Sequence, residues 1–187
     1  MKKQIGWAVL VAWLCCFVAI ALGGRAQAEV PPRVEIAFSP DGGAEALVLR
    51  TIGEARQSIR VLAYSFTAPA VTRALITAKR RGVDVAVSVD ARSNLEEDRS
   101  GRARAALGAL AYARIPVRVV SAFPAQHSKY VVVDGMTVET GSYNYSQQAA
   151  RYNAENVVVL RGDTRVADAY LKNWEAVSAR GELYRAP

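Results

Sequence analysis

The sequence predicts a layered α/β domain with a largely parallel sheet and one antiparallel hairpin. Three observations lead there. Between residues 34 and 177, β-prone runs alternate with apolar stripes at helical spacing. Asp134-Gly135 lies between two such runs, a strong two-residue hairpin signal. No internal repeat, linker or low-complexity stretch interrupts the pattern, so the chain beyond the N-terminal leader reads as one domain.

The leader comes first. Met1-Lys2-Lys3 precedes an uncharged run from Ile5 to Leu22, and Ala26-Gln27-Ala28 places small residues before Glu29. That is the layout of a secretory signal peptide. Residues 1–28 are therefore expected to be removed, leaving a domain of residues 29–187, periplasmic or secreted, with no integral membrane span. The long apolar run keeps an uncleaved anchor open as the alternative. Cleavage takes away Lys2, Lys3 and Arg25, so a net charge of +7 falls to +4. It also takes away Cys15 and Cys16, which excludes a disulfide scaffold or a cysteine-ligated zinc from the rest. At 51% hydrophobic and 22% charged, the chain is neither disordered nor collagen-like.

The elements are read in chain order. Val34 to Phe38 is a short strand closed by the turn Ser39-Pro40-Asp41-Gly42-Gly43. Ala44, Leu47, Val48, Ile52 and Ala55 mark a helix, and Ile59 to Phe66 a buried strand. A second helix carries Ala70, Val71, Ala74, Leu75 and Ala78. Lys79-Arg80-Arg81-Gly82 ends it, since cations favour the last turn and glycine the left-handed cap. Val83 to Val89 is a strand. Asp90 to Arg104, rich in charge, is expected to be a surface loop entering a helix over Ala105 to Ala113. Pro116 to Val120, Lys129 to Val133, Met136 to Thr140 and Asn156 to Leu160 are strands. A last helix aligns Val166, Ala167, Tyr170, Leu171, Trp174 and Val177.

Chemistry concentrates late in the chain. His127 is the only histidine, and Lys129 is one of three lysines beyond the leader, against eighteen arginines. Two residues apart on a strand, the two side chains project into one space. An imidazole beside a fixed ammonium suits an anionic substrate. Gly141-Ser142-Tyr143-Asn144 reads as a turn in which glycine admits close backbone approach and Ser142 and Asn144 donate to phosphoryl oxygens. Glu155 is placed to hold one nitrogen of an imidazole and leave the other free. Each feature alone is equally an ordinary strand or turn.

Together, His127-Ser128-Lys129-Tyr130-Val131-Val132-Val133-Asp134 forms H-x-K-x₄-D, and after six intervening residues comes Gly141-Ser142-x-Asn144. This resembles the HKD motif of the phospholipase D superfamily. With one motif copy and an export signal, the chain is most similar to that family's small secreted, EDTA-resistant bacterial endonucleases. The resemblance implies a layered α/β/α sandwich with a mixed, largely parallel sheet. It also implies a phosphodiesterase that works through a covalent phosphohistidine. His127 would be the nucleophile, Lys129, Ser142 and Asn144 the phosphate ligands, and Glu155 the orienting carboxylate. Asp134 and Gly141 would be structural members of the motif.

One imidazole cannot both attack phosphorus and protonate the leaving oxygen on its opposite side. A homodimer sharing one site between two copies of His127 is therefore expected. No cofactor or metal is called for, and the acidic cluster Glu96-Glu97-Asp98 has no partners at ligand spacing. The basic balance suits nucleic acid, DNA first and RNA beside it, with Arg80, Arg81, Arg92, Arg99, Arg102 and Arg104 as a candidate rim. Nothing resembles a base-reading module, so cleavage is expected to be non-specific. The alternatives are a phospholipase D or cardiolipin hydrolase using the same chemistry, and a non-catalytic nucleic-acid-binding protein. A lipid enzyme should expose an apolar patch near its pocket, and none is evident in the loops.

Overall fold

The structure, a computed structural model, describes residues 33–186 except Gly42; the expected signal peptide lies outside them. Eight strands form one sheet in the order β1-β7-β6-β5-β2-β3-β4-β8. They are β1 (Arg33–Ser39), β2 (Ser58–Ala63), β3 (Asp84–Asp90), β4 (Val117–Val120), β5 (Lys129–Val133), β6 (Thr137–Gly141), β7 (Glu155–Arg161) and β8 (Glu182–Leu183). The helices are α1 (Gly43–Glu54), α2 (Pro69–Arg80), α3 (Arg102–Tyr112), α4 (Gln147–Arg151) and α5 (Thr164–Ser178), with a π-helical turn at Arg92–Glu97.

The periodicities explain the layers. Leu47, Val48 and Ile52 of α1, Val71 and Leu75 of α2, and Leu107 and Leu110 of α3 share one core with Val61, Val87, Val131 and Val159 of the sheet. On the opposite face Leu62, Tyr130, Val132 and Val138 meet Ala167 of α5, with Tyr170 and Trp174 packed against them. The sheet is thus enclosed from both sides, and the mixed α/β class holds.

Its parallel portion is smaller than expected. Only β2–β3 and β3–β4 pair in parallel. The other five pairings, β1–β7, β2–β5, β4–β8, β5–β6 and β6–β7, are antiparallel. Parallel neighbours need a crossover of a dozen or more residues, and only α2 and α3 supply one between strands adjacent in the sheet. From Lys129 onward every pairing is antiparallel, and only β5–β6 is joined by a tight turn; β6 and β7 are linked through α4. At the β5–β6 turn three residues, Asp134, Gly135 and Met136, separate the paired Val133 and Thr137. Asp134 and Gly135 both take positive φ, 54° and 65°, and the Met136 N–H donates to the Val133 carbonyl at 3.1 Å.

Local signals hold elsewhere. Gly82, at φ 93°, follows the basic end of α2, and the Asp163 carboxylate caps α5 by accepting from the N–H groups of Arg165 and Val166. The segment from Asp90 is not the surface loop expected. It contains the π-helical turn, and Asp90 and Asn94 are buried at 2% and 0% exposure. Its charged residues face solvent, while these two polar side chains turn inward to bind backbone.

Candidate active site

Parallel strands β2, β3 and β4 end at Ala63, Asp90 and Val120. Antiparallel pairing brings the starts of β5 and β7 and the ends of β1 and β6 to the same end of the sheet. Sites outside the carboxyl ends of parallel strands are the rule in open α/β sheets. His127, Lys129, Ser142, Asn144 and Glu155 all gather there.

His127 lies in the segment leading into β5, not on the strand. The backbone before it is tied down: the Asp90 carboxylate accepts from the Gln126 N–H at 2.8 Å and from the Ser93 N–H at 2.7 Å. Asn94 donates to the carbonyls of Tyr64 (2.6 Å) and Asp90 (2.8 Å) and accepts from the Phe66 N–H (2.8 Å). These bonds fix Tyr64 at the end of β2. Its ring lies 4.4 Å from the His127 ring, centroid to centroid, and 4.8 Å from Lys129 Nζ. Lys129 Nζ in turn stands 3.0 Å from His127 Nδ1, 3.2 Å from Nε2 and 2.7 Å from the His127 carbonyl oxygen. Burial depresses the Lys129 ammonium from its ordinary range, and the negative charge of Glu155 offsets part of that effect.

The second half of the site hangs on Gly141. A Cβ there would meet the Asn156 carbonyl oxygen at 2.1 Å, so only glycine lets β6 and β7 close here. Ser142 Oγ donates to Glu155 Oε2 and accepts from the Asn156 N–H at 3.1 Å. Asn153 Nδ2 donates to Glu155 Oε1 at 2.9 Å. The Glu155 carboxylate is thus held within its own chain by Ser142 and Asn153, and it makes no hydrogen bond to the His127 of that chain. The Asn144 Oδ1 atom is buried without a partner.

The tyrosines flanking Asn144 are not turn residues facing water. Tyr143 and Tyr145 are both 0% exposed. Tyr145 donates to the fully buried Glu139 at 2.7 Å, and its carbonyl accepts from the N–H groups of Thr67 and Ala68, each at 2.8 Å. Burial raises the Glu139 carboxyl to about 8. Asp134 lies at the opposite end of the β5–β6 hairpin. It accepts from the N–H groups of Arg56, Gln57 and Ser58 at 2.9, 2.7 and 2.8 Å, pinning the hairpin turn to the start of β2.

The candidate arginine rim divides. Arg80 and Arg81 close α2 at the far end of the sheet, where Arg81 donates to the carbonyls of Gly53 and Ala55. Arg92, Arg99, Arg102 and Arg104 come after β3 on the His127 side. Arg92 pairs with Glu97 and Arg104 donates to the Leu95 carbonyl.

The motif and its geometry agree with what comparison finds. The family model described as "Cardiolipin synthase, PLD-like domain" matches residues 48–177. The chain belongs to the phospholipase D superfamily. A "Phospholipase D" of Rickettsia bellii is 37% identical over 148 residues, covering 79% of this chain and 70% of the relative. A "Mitochondrial cardiolipin hydrolase" of Xenopus laevis is 33% identical over 144 residues, covering 77% and 62%. The crystal structure of Nuc from Salmonella typhimurium, a phospholipase D family member, superposes with a TM-score of 0.79 at 43% identity. It covers 82% of this chain and 99% of that one. The chain is accordingly a phosphodiesterase of the phospholipase D superfamily.

Four supporting residues escape sequence reasoning: Tyr64, Asp90, Asn94 and Glu139. Tyr64 had a signal, as the polar-tipped aromatic at the end of a buried strand. Asp90 and Asn94 were hidden among exposed charges, and Glu139 among alternating strand residues. Among the described residues, no group of three or more His, Cys, Asp or Glu side chains could hold a metal ion. No helix there is long and apolar enough to cross a membrane.

Proposed function

We propose that this phosphodiesterase is a non-specific endonuclease, cleaving DNA and also RNA. It needs no metal, and it works through a phosphohistidine at a site completed by two chains. The observation that carries this reading is the single His127 held against Lys129, with no second imidazole at the site among the described residues to protonate a leaving oxygen. A ring nitrogen of His127 attacks phosphorus and the bond to the leaving oxygen breaks. The protonated His127 of a second copy gives its proton to that oxygen. That second imidazole then takes a proton from water, whose oxygen attacks phosphorus and breaks the P–N bond. Lys129, Asn144 and Ser142 hold the phosphoryl oxygens, balancing charge where it develops. Glu155 is already oriented by Ser142 and Asn153 and makes no bond to its own His127, so its orienting role falls to the imidazole of the second copy.

The surface offers a seat for that copy. On edge strand β1, Val34, Ile36 and Phe38 are 54%, 60% and 64% exposed, all on one side of the strand. The sequence shows no such patch in the loops; this one lies on a strand, and an apolar face there is also what a lipid enzyme would expose. Phe38 is paired with Asn156, next to Glu155. The exposure of this stripe supports a dimer seated on it, which would bring the two sites toward each other. The leader at residues 1–28 supports a periplasmic or secreted location.

The relatives named phospholipase D and cardiolipin hydrolase favour a second reading, the same chemistry on a phospholipid. One experiment separates them. The purified protein is incubated in EDTA with supercoiled, linear and single-stranded DNA, with RNA, and with cardiolipin vesicles, beside a His127→Ala control. Cleavage of nucleic acid with acid-labile phosphate on His127 is expected. Turnover of vesicles alone would transfer the assignment to the lipid enzyme.

A further inference from the structure

A cleft of about 370 Å³ opens directly beside the catalytic pair, within the range of small-ligand pockets, about 300–1,000 Å³. His127, Lys129 and Thr140 form its near wall, and one turn of α5 forms the far wall with Tyr170 and Asn173. The catalytic steps use neither residue of α5.

Their placement is enforced from below. Tyr130, 3% exposed, is the second residue of β5 and points to the α5 face. Its hydroxyl donates to Asn173 Oδ1 at 2.8 Å, and its ring meets the Tyr170 ring edge-on, centroids 4.8 Å apart at 86°. Burial pushes the Tyr130 hydroxyl well above its ordinary value, so it stays a donor across the working pH range. A donor from below fixes the Asn173 amide with its oxygen inward. The Asn173 NH₂ group has no partner among the described residues, and the residue is exposed. Tyr170 is half-buried, its ring braced by Tyr130.

Beside a phosphate site the cleft therefore offers one braced aromatic ring and one outward donor edge. We propose that this cleft is a nucleobase subsite, in which a base flanking the scissile phosphate stacks on Tyr170 and accepts a hydrogen bond from Asn173 Nδ2. Every base has a π-face and an acceptor, a ring nitrogen or a carbonyl oxygen, so the contact favours bases over a bare sugar–phosphate without choosing strongly among them. The inference rests on the nuclease reading and specifies how that site holds its substrate.

The test compares phosphates within one substrate. A single-stranded oligonucleotide carrying a run of tetrahydrofuran abasic residues between base-bearing runs is digested by the purified protein, and cleavage rates in the two kinds of run are compared. This internal ratio does not depend on how much enzyme is folded. The unsubstituted protein is expected to cut base-bearing phosphates roughly tenfold faster, the scale of one base stacked on an aromatic ring. In Tyr170→Leu the ratio should fall close to one, in Asn173→Ala it should fall part of the way, and in Tyr170→Phe it should persist. A ratio unchanged in Tyr170→Leu and Asn173→Ala, or a ratio of one in the unsubstituted protein, overturns the subsite and leaves the nuclease reading intact. Failure to cut any oligonucleotide, with vesicles of cardiolipin hydrolysed instead, overturns both.

Discussion

At the scale of single residues, the proposed chemistry separates groups that would meet phosphate from groups that hold them in place. His127→Ala should lower phosphodiester turnover by about 10³-fold or more, since it removes nucleophile and proton donor together. A stopped assay on a diester substrate measures this. Glu139 gives a different kind of prediction. Its carboxyl is raised by burial from 4.5 to about 8, so the folded protein keeps a proton that the unfolded chain releases. The stability linked to this group is complete below about pH 4.5 and is lost as pH rises toward 8, by a few kcal/mol. Urea midpoints across pH 5–9 should show that decline, and Glu139→Gln, which resembles the protonated acid, should flatten it. A slope unchanged in the variant would rule out Glu139 as its source.

At the scale of elements, the hairpin β5–β6 carries the motif from one end of the sheet to the other. Asp134→Ala removes an acceptor shared by three backbone N–H groups and should cost about 2–3 kcal/mol, seen as a lower melting temperature. The kcat of the remaining folded enzyme should change little. Gly141→Ala should do the reverse of a mild change, because its Cβ cannot clear the Asn156 carbonyl. Loss of both activity and β6–β7 amide protection is expected. The elements were largely legible in the sequence: Lys129 to Val133 is a strand as the apolar run indicates, and Asp134-Gly135 turns as its residue types require. The parallel fraction was not legible, because periodicity reveals strands but not which neighbour each one takes. The five candidate site residues were singled out by spacing and resemblance, and the fold brings them to one end of the sheet. Their supports were not, because Asn94 and Asp90 act through backbone groups brought close only by the fold.

At the scale of the whole molecule, the proposed shared site predicts that activity depends on association. Diluted below the dissociation constant of the dimer, the enzyme should lose specific activity in step with its sedimentation coefficient, and Phe38→Glu should shift both curves to higher concentration. A monomer fully active at nanomolar concentration would end the shared-site account. Activity should also persist in excess EDTA if, as proposed, Lys129 and the amide donors supply the charge compensation; loss restored by magnesium would contradict it.

The three bonds at Asp134 also give the motif's spacing a mechanical sense. From Lys129 to Asp134 the backbone advances five residues, roughly 16 Å at strand rise, with the reactive groups at one tip and the anchor at the other. The interval works as a gauge rod, setting how far the imidazole stands from the floor on which the rod is footed. An insertion or deletion of one residue within it would invert every side chain along the rod, so this interval should tolerate changes of residue far better than changes of length.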